Sequence, residues 1–281
     1  MRLLSTIALL GGDARQRYLA ALFERAGHTV LLYGVPGLAD SCDSLEKTLH
    51  AARFVCLGMP AVRDGHLTAL PACTPAQLAR LLPPGSVLFG GGLSAFPPEL
   101  LPPSVRVFDY LQDPALLCAN AELTAEGALS LALQALPIAL KDAPVLVTGF
   151  GRIGKSLSMK LHLLGAQVTL TTRSRAAFSA IEALGCLPDE TGRYHLGLSH
   201  YACVFNTAPA PVFSAPQLQA LSPSCVYLEL ASAPGGIAPD APKPPLFLPA
   251  PGLPAKTAPK TAAQLIYRAL CASPYFSQEV L

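Results

Sequence analysis

The sequence predicts an α/β protein made of two Rossmann-like, doubly wound parallel-sheet domains. Apolar runs of strand length alternate with helical stretches along most of the chain, which is typical of parallel sheets covered by helices on both faces. A glycine turn follows a strand-like run twice, in "LLGGDARQ" and in "VTGFGRIG". A length of 281 residues suits about two domains of ordinary size.

The predicted elements form two alternating series. Predicted strands fall near 5–10, 29–33, 53–58, 86–89, 105–109, 144–148, 167–172, 202–206 and 225–230. Predicted helices fall near 14–26, 75–82, 152–164, 175–184 and 259–271. The pattern over 121–140 predicts a connecting helix, so we expect one domain over 1–120 and a nucleotide-binding domain over 121–256. A Pro-rich loop is expected over 234–256.

Charge and cysteine usage narrow the class of function. The net charge is +2, from 20 basic and 18 acidic residues scattered along the chain, so nothing indicates a nucleic acid or a membrane as partner. No CxxC or HExxH pattern occurs, and we expect no metal site and no disulfide framework. The chain start lacks the apolar core of a signal peptide, and "ALSLALQALPIAL" is too short and interrupted to span a bilayer. We therefore expect a soluble cytoplasmic protein.

The second glycine turn predicts a dinucleotide site. Gly149, Gly151 and Gly154 form GxGxxG directly after a predicted strand and open a helix, with Arg152 and Ile153 between them. In this context the glycines allow a tight turn, a close approach of backbone to pyrophosphate, and close helix–strand packing. The N–H groups at the helix start would bind the pyrophosphate.

The end of the next strand favours NADP over NAD. NAD sites usually place Asp or Glu there to hold the ribose hydroxyls, whereas this chain has Thr172, Arg173 and Ser174. A guanidinium and hydroxyls suit a 2′-phosphate, because Arg binds phosphate oxygens in a fork. The alternative is that Arg173 begins a solvated helix turn.

Two further loops follow strands of the same predicted sheet, "FNTAPAP" at 205–211 and "ELASAPGG" at 229–236. Small residues and prolines at the carboxyl ends of parallel strands leave room for a nicotinamide and its ribose. The predicted cofactor contacts in these loops are Asn206, Thr207, Ala208, Pro209 and Ala231.

Six segments together resemble the dipicolinate synthase A-subunit family of spore-forming bacteria. They span nearly the whole chain in the family's order: "GGDARQ" at 11–16, "NAELTAEG" at 120–127, "GFGRIG" at 149–154, "NTAP" at 206–209, "LASAPGG" at 230–236 and "APGLPAKTAPKTAAQLI" at 250–266. The resemblance implies an NADP-linked, dehydrogenase-like subunit that works with a flavoprotein-like B subunit. The implied reaction forms pyridine-2,6-dicarboxylate from a dihydrodipicolinate-type intermediate during sporulation.

The resemblance also implies a fold similar to 2-hydroxyacid and alanine dehydrogenases, in which a C-terminal helix, here 257–281, joins the first domain. The first glycine turn would then shape the substrate side rather than hold a second dinucleotide. Gly12 would let backbone approach a small anion, and Arg15 would clamp a carboxylate. The alternative for Arg15 is an exposed first-turn arginine.

A second carboxylate clamp is expected at Lys256 and Lys260, with Thr257 as a helix cap and Pro259 in the first turn. Cations at a helix N-terminus oppose the usual dipole preference, which indicates a bound anion. Solvated lysines are the alternative. Asp13 and Glu126 are the candidates for accepting the proton released during oxidation, and Glu126 has a structural ion pair as its alternative role.

Two departures from the family leave other functions open. The family tends to carry a basic residue where this chain has Ala233, and an acidic residue where it has Ile237-Ala238-Pro239. One alternative is an NADP-dependent dehydrogenase of another small carboxylate. Another is a nucleotide-binding subunit without catalytic activity. The sequence also leaves open whether the chain forms a homo-oligomer.

Overall fold

The computed structural model describes residues 4–277 and divides the chain into two compact units. The first unit comprises the chain up to Asn120 together with the segment from Ala258 onward, and the second comprises Ala121–Thr257.

The first unit is built on five parallel strands, β1 (Thr6–Leu10), β2 (Thr29–Tyr33), β3 (Phe54–Leu57), β6 (Val87–Gly90) and β7 (Arg106–Asp109), with a separate small hairpin of β4 (Val62–Arg63) and β5 (His66–Leu67). The sheet has the order β2-β1-β3-β6-β7. Its helices are α1 (Ala14–Arg25), α2 (Leu45–His50) and α3 (Pro75–Leu81), and near the chain end α9 (Pro259–Cys271) and α10 (Pro274–Ser277). The strand order reverses between β1 and β3, where such sheets bind ligands.

The second unit is built on six parallel strands, β8 (Pro144–Thr148), β9 (Gln167–Thr172), β10 (Leu187–Glu190), β11 (Cys203–Asn206), β12 (Val226–Glu229) and β13 (Leu246–Pro249). The sheet has the order β10-β9-β8-β11-β12-β13, which is the doubly wound Rossmann order and reverses between β8 and β11. Its helices are α5 (Arg152–Leu163), α6 (Phe178–Glu182), α7 (Ala215–Gln219) and α8 (Leu253–Thr257), and α4 (Pro114–Ala135) enters it from the first unit.

The central strands of both sheets are buried on both faces, as the continuous apolar runs predict. In β8, Val145 and Val147 point into one core cluster and Leu146 points into another. In β1, residues 7 and 9 face one cluster and residues 8 and 10 the other. The predicted fold class is therefore confirmed by the two sheets.

The C-terminal segment packs on the first unit, but not as one helix over 257–281. Thr257 ends α8, and α9 begins at Pro259, because Ala258 has extended φ and Pro suits the first helical turn. The segment breaks again before Pro274, and residues 278–281 lie outside the described chain. The ring of Phe276 lies 4.8 Å from that of Phe54, which anchors the segment to the sheet.

The predicted connecting helix over 121–140 is also corrected. Helix α4 begins seven residues earlier, at Pro114, and ends at Ala135, because Pro137 disfavours helical backbone at Leu136. Within the described chain, α4 alone has the length and apolar composition that a membrane crossing needs. Its residues 125, 128 and 132 are alanines fully buried in the core of the second unit, a property shared by core helices of soluble proteins.

The loop predicted over 234–256 contains both strand β13 and helix α8. Strand β13 forms because Leu246–Pro249 pairs in register with strand β12 and lies at the edge of the sheet. Proline is tolerated at the end of an edge strand, where its nitrogen needs no ladder partner. Strand β10 and helix α2 are likewise additional to the predicted elements.

Candidate functional site

A cavity of about 980 Å³ opens in the second unit where its strand order reverses. We call it the glycine-turn cavity. Its lining comes from the loops after β8, β9, β10 and β11 and from the start of α7, and comprises Gly149, Phe150, Gly151, Thr172, Arg173, Ser174, Ala177, Thr191, Gly192, Thr207, Ala208, Pro209, Ala210, Pro211, Val212, Phe213, Ser214, Gln217 and Ala238. Eight of the thirteen predicted cofactor residues line it: Gly149, Gly151, Thr172, Arg173, Ser174, Thr207, Ala208 and Pro209. The volume lies within the range of roughly 300–1,000 Å³ usual for small-ligand sites.

Each of the three positions of this turn has a different reason for being glycine. Gly149 has a φ of 97°, and a Cβ atom there would lie 2.9 Å from Thr207 Oγ1. A Cβ atom on Gly154 would overlap the carbonyl oxygen of Gly149, so this glycine permits the close packing of α5 on the turn. Gly151 has open space around the position of its Cβ atom and φ of −87°. The glycine at 151 therefore serves neither packing nor backbone conformation, and it keeps open the space that a pyrophosphate needs.

Helix α5 begins at this turn without a side-chain cap on its N-cap residue, Gly151. The backbone N–H groups of Arg152, Ile153 and Gly154 donate no hydrogen bond to any residue of the described chain. These donors and the helix dipole form a ready site for an anion. The side chain of Ile153 packs against the core and that of Arg152 is exposed, so their predicted cofactor contact can come from backbone.

The end of β9 carries a concentration of positive charge. Arg175 donates to Glu190 at 2.9 Å, and Arg193 reaches the same carboxylate at 3.2 Å. Arg173 is exposed and lines the cavity, and none of the described residues forms an ion pair with it. Since Glu190 is bound by two other arginines, the Arg173 guanidinium is left available to an anionic ligand.

Thr207 holds the glycine turn in place. Its Oγ1 donates to the carbonyl oxygen of Thr148 at 2.7 Å and lies 3.3 Å from that of Gly149. The end of β11 is thereby fixed to the end of β8. The small residues that follow, Ala208 and Pro209, form the cavity wall beside this contact.

Asn206 and Ala231 lie outside the cavity lining. Asn206 is fully buried, and its Nδ2 donates to Glu229 Oε1 at 2.6 Å and to the carbonyl oxygen of Ala208 at 3.0 Å. Its Oδ1 accepts from Thr148 Oγ1. Glu229 also accepts from the N–H groups of Ala231 and Gly236. In this arrangement Asn206 connects β8, β11 and β12 and holds the loop over 230–236.

Several residues that line the glycine-turn cavity were not predicted from the sequence. Thr191 and Gly192 follow β10, a strand obscured by the sequence "LPDE". Gln217 accepts from Ser214 N at 2.8 Å and donates to the carbonyl oxygen of Gly192 at 2.9 Å, which joins α7 to that loop. The Ser–x–x–Gln spacing of a capping box was a usable sequence signal for α7.

The first glycine turn has a different structure. A Cβ atom on Gly11, whose φ is 52°, would overlap the carbonyl oxygen of Ala69, so the segment after the β4–β5 hairpin lies directly against this turn. Gly12 has a φ of 94° and lies against the side chain of Gln16. The space that a pyrophosphate would take beside Gly11 is therefore filled by protein.

Helix α1, unlike α5, carries a side-chain cap at its start. Asp13 Oδ1 accepts from Arg15 N at 3.0 Å. The same carboxylate binds the Arg15 guanidinium at 2.9 and 2.7 Å, and Arg15 also donates to the carbonyl oxygen of Met59 at 2.9 Å. Arg15 is 6% exposed. In this geometry the two residues bind each other, and a direct role in substrate binding stays a prediction for both.

The predicted lysines and Glu126 are exposed. Lys256 lies on α8 in the second unit and Lys260 in the first turn of α9 in the first unit, and neither forms an ion pair with a described residue. Thr257 is not the expected cap, because its Oγ1 donates to the carbonyl oxygen of Leu253 at 2.9 Å inside α8. Glu126 also lacks a described ion pair, since Lys160 pairs with Glu122 instead.

No group of three or more His, Cys, Asp or Glu side chains in residues 4–277 could hold a metal ion. The buried thiols are protonated at neutral pH, since burial raises the pKa of Cys225 to about 12 and that of Cys203 well above its ordinary value. Within these residues the candidate site is the glycine-turn cavity, whose lining contains no cysteine.

Comparison with known proteins agrees with this geometry. Residues 6–100 match the profile of the N-terminal domain of the dipicolinate synthase A subunit. The chain is 27% identical over 280 residues to the dipicolinate synthase A subunit of Bacillus subtilis (strain 168), which covers 94% of each chain.

Solved structures extend the likeness to the fold. The crystal structure of the dipicolinate synthase A subunit from Bacillus halodurans is similar with a TM-score of 0.78 and 23% identity, over 96% of this chain and 98% of that one. An L-alanine dehydrogenase is similar with a TM-score of 0.60 and 17% identity, over 93% of this chain and 87% of that one. The expected similarity to alanine dehydrogenases is therefore confirmed at the level of fold.

Proposed function

We propose that the chain, which is similar to the dipicolinate synthase A-subunit family, is an NADP-linked oxidoreductase subunit of that family. The proposed reaction converts a dihydrodipicolinate-type intermediate into pyridine-2,6-dicarboxylate, in the cytoplasm of a sporulating cell. A separate, flavoprotein-like B subunit completes the enzyme in this proposal, since the relatives carry the name of one subunit of a synthase.

One observation carries the cofactor part of the proposal: Arg173, without an ion-pair partner among the described residues, lines the same cavity as the uncapped start of α5. The pyrophosphate fits the N–H groups over 152–154 beside the open space at Gly151. The 2′-phosphate fits Arg173 and the hydroxyls of the same loop. Glu190, the acid at the end of the adjacent strand, is held by Arg175 and Arg193, which favours NADP over NAD.

When bound, the nicotinamide ring supplies the hydride acceptor for oxidation of a ring carbon. Thr207 fixes the turn against which the cofactor lies, and Ala208 and Pro209 supply a wall free of charged side chains. Lys256 and Lys260 are the cations proposed for the substrate carboxylates. Removal of the hydride leaves a proton on the adjacent ring atom, and water or a carboxylate takes it.

Of the two proposed proton acceptors, Glu126 is the one whose carboxylate has no ion pair with a described residue. Both oxygens of Asp13 already accept from the buried Arg15 guanidinium. Glu126 is exposed, and its neighbour Gly127 allows α4 to approach α8 closely, because a Cβ atom there would lie 2.9 Å from Leu253 Cβ. Glu126 therefore lies at the α4–α8 crossing, on the helix that contacts the one carrying Lys256.

A different dehydrogenase substrate is the second candidate. Ala233 is exposed and offers no charged group in the loop over 230–236. If a cation of that loop is needed for a dicarboxylate, then a carboxylate with one anionic group suits this chain better.

The experiment that tests the proposal is calorimetric titration of the protein with NADPH, with and without pyridine-2,6-dicarboxylate. We expect NADPH to bind, and its affinity to rise when the dicarboxylate is present. An affinity that does not respond to the dicarboxylate, whether or not the B subunit is present, would overturn the substrate assignment. Failure to bind NADPH would overturn the cofactor assignment.

A further inference from the structure

The first unit contains a second cavity, of about 630 Å³, at the carboxyl end of the edge strand β2. We call it the β2-edge cavity. Its lining includes Tyr33 and Gly34 at the end of β2, the segment over 69–73, and Gln77 and Arg80 of α3. It has the size of a small-ligand site, and no part of the proposed reaction uses it.

Hydrogen bonds fix the loop after β2, which supplies Gly34 to the cavity lining. Gly34 N donates to Asp40 Oδ1 at 2.6 Å. Ser41 accepts from Leu32 N through its Oγ and donates through its N–H to the carbonyl oxygen of Leu32, both at 2.8 Å. The loop after β2 is thereby tied to the strand. Leu70, which is buried, also lines the cavity.

The charged and amide side chains of the cavity lining are those of Arg80 and Gln77. Its eleven lining residues include one cation, Arg80, and no Asp or Glu. Arg80 is exposed and forms no ion pair or hydrogen bond with any residue in the described part of the chain. Gln77 accepts through Oε1 from Thr74 N at 2.8 Å and from Thr74 Oγ1 at 3.1 Å, which leaves its Nε2 as a fixed donor one helical turn from Arg80.

The remaining lining is apolar and includes the ring-bearing side chains of Tyr33 and Pro71 and the alkyl side chains of Leu45, Leu70 and Leu81. An open, largely apolar cavity whose lining includes a guanidinium and an amide donor is complementary to an anion with a flat apolar body. A cation at the C-terminal turn of α3 also suits the helix dipole. An arginine that only stabilises the helix dipole would not need an apolar cavity or a second donor beside it. The combination of Arg80, Gln77 and the apolar lining therefore favours a ligand site.

We propose that the β2-edge cavity binds an aromatic carboxylate, with its carboxylate on Arg80 and Gln77 and its ring between Tyr33, Leu45 and Leu70. This site lies within the first unit and does not rest on the proposed NADP-linked reaction.

Calorimetry with 2-naphthoate as probe, and 2-naphthamide as its uncharged counterpart, tests the charge requirement. We expect 2-naphthoate to bind and 2-naphthamide to bind at least about tenfold more weakly, because a charge-assisted hydrogen bond is lost. Arg80→Ala should weaken 2-naphthoate binding by about the same factor. Arg63→Ala, an exposed arginine of the same unit outside the cavity lining, should leave it unchanged.

Cys73 supplies an independent readout, because its thiol lines the cavity while Cys118 is exposed elsewhere. Bound 2-naphthoate should slow alkylation of Cys73 by iodoacetamide severalfold and leave alkylation of Cys118 unchanged, as followed by peptide mass spectrometry. Equal binding of the acid and the amide, full affinity in Arg80→Ala, or unchanged alkylation of Cys73 at saturating 2-naphthoate would each overturn the proposal.

Discussion

The side-chain amide of Asn206 donates a 2.6 Å hydrogen bond to the Glu229 carboxylate, and this contact joins the ends of strands β11 and β12 beside the glycine-turn cavity. Asn206 is fully buried, and Glu229 in turn accepts from the backbone N–H of Gly236 at 3.0 Å. The pair therefore holds the loop over 230–236, and a direct contact of Asn206 with a cofactor stays a prediction.

Replacing Asn206 tests this structural role. Asn206→Ala should lower the free energy of unfolding by about 2–4 kcal/mol, because it leaves buried acceptors and donors unpaired. Asn206→Asp should also destabilise, since it places two carboxylates side by side. Adding Glu229→Gln to Asn206→Asp should recover part of that loss, by about 1 kcal/mol in a double-mutant cycle of urea unfolding. Strictly additive losses would show that the two side chains do not interact.

The glycines at 151 and 154 should respond differently to alanine. Gly151→Ala should keep the melting temperature, because its Cβ atom meets open space, but should weaken NADPH binding at least about tenfold by occupying the pyrophosphate space. Gly154→Ala should lower the melting temperature, because its Cβ atom would overlap the carbonyl oxygen of Gly149. Thermal unfolding and NADPH titration of both variants measure the two effects. Unchanged NADPH affinity in Gly151→Ala would place the pyrophosphate elsewhere.

The first glycine turn should behave as a structural feature. Arg15→Ala should destabilise the protein by about 1–3 kcal/mol, because the partly exposed Asp13 carboxylate loses its buried partner but can regain some water. NADPH affinity in this variant should equal that of the unchanged protein. Asp13→Asn is the matched variant, because an asparagine can still cap α1. If Arg15→Ala leaves stability intact and removes the effect of pyridine-2,6-dicarboxylate, Arg15 binds substrate instead.

Alkaline pH should destabilise the protein through buried thiols. Burial raises the pKa of Cys225 to about 12, from the ordinary value of 9.0. The unfolded chain releases this proton above about pH 9 while the folded chain keeps it, so the contribution is complete below pH 9 and is lost as the pH rises toward 12. Urea unfolding at pH 8, 9 and 10 should show a decreasing free energy of unfolding. Cys225→Ser should decrease less steeply, since a hydroxyl does not titrate in this range.

The structure of the second glycine turn could be predicted from the sequence, because it depends on residues within a few positions of one another. Gly149, Gly151 and Gly154 lie on one continuous strand–turn–helix, and their spacing predicts the local structure. The lengths of the long strands were also predictable, since their apolar runs are continuous.

Long-range pairing accounts for what the sequence did not predict. The contact of Ala69 with Gly11 joins residues 58 positions apart and packs the segment over 69–73 against the first glycine turn. Strand β10 was missed because proline and two acids interrupt its pattern, yet its pairing with β9 brings Glu190 beside Thr172. The ion pairs of Glu190 with Arg175 and Arg193 could not be predicted from the sequence, because they form only when these loops fold together.

The central claim, that Arg173 binds the 2′-phosphate of NADP, is tested most directly by titrating Arg173→Ala with NADPH and with NADH. NADPH affinity should fall at least about tenfold, because charge-assisted hydrogen bonds contribute about 1.5–3 kcal/mol each. NADH affinity should change less than about twofold, and Arg193→Ala, whose guanidinium is held by Glu190, should show a smaller loss of NADPH affinity. Equal losses of NADPH and NADH affinity in Arg173→Ala, or tighter binding of NADH than of NADPH by the unchanged protein, would contradict the claim.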